Sequence, residues 1–111
     1  MFIIDDENKI QMVQGDTGSI RLTLENYKLS YGDKVIFAMT SRKLKRLLIE
    51  KSITKFESDG TALIILNGKD TVDITPGSYL YEIQVITKDG RIDTVIPMTK
   101  IKIMEGMIYE W

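Results

Sequence analysis

From Gly18 to Leu24 the side chains alternate in kind: Ile20, Leu22 and Leu24 fall on one side of an extended chain, Arg21, Thr23 and Glu25 on the other. A helix repeats its faces every ~3.6 residues, so a strict period of two belongs to a strand with one buried and one wet face. The pattern returns at Val35, Phe37 and Met39 within Lys34 to Thr40, and at Tyr79, Tyr81, Ile83 and Val85 within Ser78 to Thr87. Lys9 to Gln14, Leu47 to Phe56 (with Ile49 and Ile53), Thr61 to Asn67 and Arg91 to Met104 read as further strands. Turn formers separate them: Gly15-Asp16-Thr17, Ser58-Asp59-Gly60, Asn67-Gly68, Pro76-Gly77 and Lys88-Asp89-Gly90. Asp-Gly pairs suit the positive φ angles of hairpin turns, so the second and last of these predict hairpins. About seven or eight short strands with turns at this spacing make an all-β antiparallel β-sandwich.

A few segments are less regular. Ile36 and Ala38 give the Lys34–Thr40 strand a second apolar face, which predicts a central or covered position. Ser41 to Leu48 reads equally as one helical turn or as a β connection, and Lys69 to Thr75 has room for a single helical turn. In the last strand the alternation changes parity near Pro97, with Ile92 and Ile96 pointing one way and Ile101 and Ile103 the other. Proline in a strand asks for an edge position or a bulge, and a bulge accounts for the change of parity. The chain divides into an N-terminal arm (1–8), a sandwich domain (9–105) and a C-terminal tail (106–111).

Composition narrows the function. There is no cysteine and no histidine, so disulfides, thiolate nucleophiles, sulfur-ligated metals and imidazole acid–base chemistry are all missing. With Lys+Arg 15 against Asp+Glu 16, the net charge of −1 gives no bulk attraction to nucleic acid or to an anionic membrane. No apolar run approaches the roughly 20 residues of a membrane-spanning helix. Met1-Phe2-Ile3-Ile4 is followed at once by Asp5, Asp6 and Glu7, unlike a secretory signal. The reading is a non-enzymatic domain with no catalytic residues, no cofactor and no metal.

Three stretches then carry a resemblance: Gln14-Gly15-Asp16-Thr17, Pro76-Gly77-Ser78-Tyr79-Leu80-Tyr81-Glu82-Ile83-Gln84, and Lys88-Asp89-Gly90-Arg91 followed by Thr94. In order and spacing they resemble small immunoglobulin-like proteins of phages and prophages of Gram-positive bacteria, in particular the amino-terminal domain of phage baseplate upper proteins. Glu82 stands where that pattern has aspartate, keeping the charge. The resemblance covers roughly residues 10 to 104. It implies an immunoglobulin-like antiparallel β-sandwich and a structural protein of a phage tail or baseplate, made in the bacterial cytoplasm and carried in the virion. Its partners would be other phage structural proteins, with a homo-oligomer left open, and the family has no catalytic residues to transfer.

Each candidate site has a plainer structural reading beside it. Gln14-Gly15-Asp16-Thr17 is a recognition loop or, better, a turn that sets register. Tyr79 and Tyr81 line a sugar-binding face or, better, pack in the core or form a tyrosine corner, because Ile83 and Val85 continue their face. Asp5, Asp6 and Glu7 ligate calcium or, better, belong to a solvated terminus. Arg42, Lys43, Lys45 and Arg46 contact phosphate or an acidic surface or, better, form a charged loop. Lys69, Asp70, Thr71 and Asp73 gather carboxylates beside a lysine without any reaction motif. Two features favour association. Thr61 to Asn67 is apolar on both faces, Ala62, Ile64 and Leu66 against Leu63 and Ile65. The tail carries Met107, Ile108, Tyr109 and Trp111, residue types typical of interface cores; it docks on a partner or folds back on its own domain. The alternative function is a carbohydrate-binding or adhesion module using Tyr27, Tyr31 or Tyr109.

Overall fold

The computed structural model describes residues 1–41 and 46–106. Eight strands and one short helix follow in the order β1 (Phe2–Ile4), β2 (Ile10–Val13), β3 (Gly18–Leu22), β4 (Lys34–Thr40), β5 (Leu47–Ile53), β6 (Ala62–Leu66), α1 (Gly68–Thr71), β7 (Gly77–Ile86) and β8 (Ile92–Met104). A six-stranded sheet, β1-β2-β8-β7-β4-β5, faces a two-stranded sheet, β3-β6. All pairs are antiparallel except β2 with β8.

Side-chain alternation decides which residues meet. Ile20 and Leu22 of β3 and Ala62, Ile64 and Leu66 of β6 point into the space between the sheets and are buried. Val35, Phe37 and Met39 meet them from β4, and Tyr81, Ile83 and Val85 from β7. β4 lies between β5 and β7, the central position its two apolar faces predict. Phe37 and Tyr81 stack at the centre with ring centroids 5.4 Å apart, a pairing worth about 1 kcal/mol beyond the area it buries.

By chain order β3, β4, β6, β7 and β8 take the places of the immunoglobulin strands B, C, E, F and G, with B and E in one sheet and C, F and G in the other. The tyrosine corner is present: the Tyr79 hydroxyl donates to the carbonyl of Thr75 at the entry to β7. Two residues on, where antibody domains carry a cysteine, stands the buried Tyr81.

Four details differ from the sequence reading. Residues 2–4 of the N-terminal arm form β1 against β2. Asp5, Asp6 and Glu7 are therefore not a loose end but part of the turn joining the two strands; the Asp5 carboxylate accepts the amides of Glu7 and Lys9 at 2.9 Å each. Ser58-Asp59-Gly60 is a tight turn, with Gly60 at φ 83° and its amide on the Glu57 carbonyl, but it is not a hairpin. Its arms go to different sheets, because β5 pairs with β4 and β6 with β3. β8 has two irregularities instead of one: Tyr81 opposes Thr99, Ile83 opposes Ile96 and Gln84 opposes Thr94. The second restores the parity, so Ile96 is buried while Ile92, expected on its face, is 61% exposed.

Candidate interaction surfaces

Two of the three stretches of the family resemblance, Gln14–Thr17 and Pro76–Gln84, are both tied to the 71–75 segment at one end of the sandwich. The Gln14 side-chain amide donates to the carbonyls of Val72 (3.0 Å) and Ile74 (2.8 Å), just before the tyrosine corner. The Gly15 amide donates to the Thr71 hydroxyl at 2.9 Å, and Thr71 is fully buried. No buried side-chain nitrogen or oxygen among the described residues is left without a hydrogen-bond partner. Asp70 accepts the Asn67 amide at 2.7 Å and pairs with Lys51 at 2.9 Å. The cluster of Lys69, Asp70, Thr71 and Asp73 is thus a helix start tied to a neighbouring strand.

The opposite end is organised by Asp33. This carboxylate is 2% exposed and sits where the β3–β4 connection passes the β7–β8 hairpin. It accepts the Tyr27 hydroxyl, the Ser30 amide (3.0 Å) and the Lys88 amide (2.9 Å). Burial pushes its pKa up, but the hydrogen bonds from Ser30, Lys88 and Tyr27 outweigh that and hold it below the usual carboxylate value. The same contact raises the Tyr27 pKa, since the hydroxyl is donating to a carboxylate. Sequence pattern does not expose this hub, because Lys88 lies 55 positions away.

Between Tyr27, the hairpin and the start of β8 lies a cleft of about 670 Å³, bordered by Asp89, Arg91 and Asp93. In antibody variable domains the corresponding end carries the antigen-binding loops. The cleft shares Leu24, Glu25 and Val95 with a second groove of about 490 Å³ that runs down the side of the sandwich. That groove lies between β3 (Ile20 to Leu22, continuing to Glu25) and β8 (Val95, Ile96), and ends at Ile4 and Asp5 beside the β1–β2 turn. Together they make one channel along the β3–β8 side.

The other candidates separate. Tyr27 lines the cleft, whereas Tyr31, 95% exposed, borders a different depression beside Thr54 and Phe56, so the two rings form no common platform. Tyr79 is half-buried against the core, and the Tyr81 hydroxyl donates to the Asn8 carbonyl from a fully buried ring. Burial pushes the Tyr81 pKa up to about 12. Leu63 and Ile65 do look outward, and Ile65 is 45% exposed beside Phe2 and Met1. Arg46 is exposed and its carbonyl accepts the Ser41 amide; Arg42, Lys43 and Lys45 lie outside the described residues, as do Met107, Ile108, Tyr109 and Trp111.

No protein-family model matches the chain, and no curated protein matches it. Solved structures do. The chain is similar to CopC from Methylosinus trichosporium OB3b, with 13% identity, a TM-score of 0.54, and 88% of this chain and 85% of that one covered. It is also similar to the extracellular domain of the voltage-gated sodium channel beta4 subunit, at 12% identity and a TM-score of 0.45 over 89% of this chain and 92% of that one. At this identity the likeness to CopC speaks for the fold alone: the chain is an all-β, immunoglobulin-like sandwich.

Proposed function

We propose that this chain is a non-enzymatic structural protein of a phage or prophage tail or baseplate, and that it assembles with other virion proteins through sheet edges and apolar contacts. The observation that carries the assembly part is the vacant flank of the small sheet. In an immunoglobulin constant-type sheet the B–E pair is flanked by strands A and D. Here, among the described residues, β3 pairs only with β6, so its outer edge offers backbone donors and acceptors to an incoming strand. The phage part rests on the resemblance of Gln14–Thr17 and Pro76–Gln84. Those residues hold the fold together at the Gln14–Thr75 end, so they support kinship without marking a site. The sugar-binding alternative asks for aromatic rings sharing a face, and Tyr27 and Tyr31 do not share one.

Mass spectrometry of particles purified after prophage induction tests the reading. The chain is expected to co-purify with baseplate proteins in fixed ratio, and deletion of its gene is expected to give particles lacking that ratio. Intact, infective particles that never contain the chain contradict it.

A further inference from the structure

The channel on the β3–β8 side has two walls of unequal capacity. β2 pairs with β8 only over Ile101–Met104, which leaves Ile92 to Lys100 without a strand on that side among the described residues. That edge is blunted, however. Pro97 has no amide to donate, and the two irregularities twist the strand away from a straight partner. The β3 edge has no proline and keeps a regular register through all five residues. An occupant therefore pairs with β3 and sends alternate side chains toward Val95 and Ile96.

Residues Met107-Ile108-Tyr109-Glu110-Trp111 fit this description. In extended form Met107, Tyr109 and Trp111 share one face and span ~14 Å. Within their own chain they cannot reach the Val95 and Ile96 end of the channel. Gly106 lies against Val13 and Gln14, at the end of the sandwich away from the β7–β8 hairpin. From there back to Val95 is ~35 Å along β8 at a strand rise of ~3.3 Å per residue. Five extended residues reach ~18 Å at most. The limit applies to residues 107–111 themselves.

The geometry points to exchange between copies: residues 107–111 of one chain add as a strand to the β3 edge of a second copy and fill its channel. This rests on the assembly reading above and names the partner as the chain itself. Donor segment and acceptor groove are different surfaces, so the exchange either closes as a reciprocal pair or runs head-to-tail into a ring or a filament.

The absence of native cysteine gives a clean test. Thr23, exposed on the outward face of the groove wall, and Glu110, which in extended form faces away from Met107, Tyr109 and Trp111, are replaced singly by cysteine, and the two variants are mixed under oxidising conditions. The mixture is expected to give a T23C–E110C cross-linked pair, identified by peptide mapping. A synthetic peptide of residues 105–111 in excess should suppress it at least tenfold. In sedimentation, W111A and V95D should each sediment as single chains while retaining the circular dichroism of the parent. Association that persists in both variants, without the cross-link, overturns the inference and leaves the assembly reading standing through another face. A parent chain that stays single at high concentration, with no cross-link, overturns it too; presence in or absence from particles then judges the assembly reading separately.

Discussion

The two long sides of the sandwich are finished differently. On the β5–β6 side the edge is guarded. Lys51 stands opposite Phe37 and so shares the inward face of its sheet, yet it carries a charge that meets Asp70 of α1 at 2.9 Å. An inward-pointing lysine on an edge strand makes that edge costly to pair with a stranger. On the β3–β8 side the lower half is closed by the β1–β2 pair, where the Phe2 ring lies over Gly18. The upper half is an open channel whose inner wall is apolar at Ile20, Leu22 and Ile96, with no paired strand on the β3 edge among the described residues. The β5 edge thus carries an inward charge that β3 lacks, while β6, like β3, pairs on one side only among the described residues.

The supports of the open side can be removed first. Asp33→Ala takes away the acceptor for the Tyr27 hydroxyl and the Ser30 and Lys88 amides. The cost is about 3 kcal/mol, read as a lowered denaturation midpoint with loss of order in the hairpin. Asp33 also sets an acid limit. Its folded-state pKa lies below the unfolded value, so the unfolded chain binds the extra proton between the two. Stability from this group is complete above the unfolded carboxylate pKa of about 3.9 and is lost as pH falls through the lower folded value. Asp33→Asn should flatten that acid limb of the stability profile.

Gly18→Val tests the closed lower half. A Cβ on Gly18 would stand 2.1 Å from the Phe2 ring, so the ring and β1 must move. About 2 kcal/mol of stability is expected to go, and amide protection in Phe2–Ile4 with it, while β4 and β7 keep theirs. The pair of changes Gly18→Ala with Phe2→Ala should lose less than the sum of the two singles.

Lys51→Met tests the guarded side. The partly buried pair with Asp70 is lost, at about 1 kcal/mol. The larger consequence is a change of behaviour: light scattering should report new self-association through β5. If K51M stays as dispersed as the parent, the charge is not what protects that edge.

How much of this was written in the chain depends on the distance over which each feature is determined. β3, β4 and β7 follow from side-chain alternation alone, since one wet and one buried face leave a period of two that any reader of the sequence sees. β1 does not, because Phe2-Ile3-Ile4 has no alternation and becomes a strand only by pairing with residues up to Met12. The parity of β8 was legible near Pro97 but not its second correction, which depends on the register with β7. Among the polar residues, Gln14 and Asp33 matter most and were least visible. Gln14 looked like part of a turn, and its partners Val72 and Ile74 offer only backbone carbonyls, which leave no trace in composition. Asp33 stands in the irregular connection between β3 and β4, where no side-chain pattern marks it. The channel was not legible at all, being a space beside β3 that no strand fills among the described residues.

Amide hydrogen exchange over residues 19–24, measured at a low and at a high protein concentration, tests the unequal sides most directly. The account predicts that outward-facing β3 amides exchange fast in dilute solution and slow markedly on concentration, while those of β5 do not change. Strong protection of the whole of β3 already at the lowest concentration, or exchange equally fast at both, would contradict it.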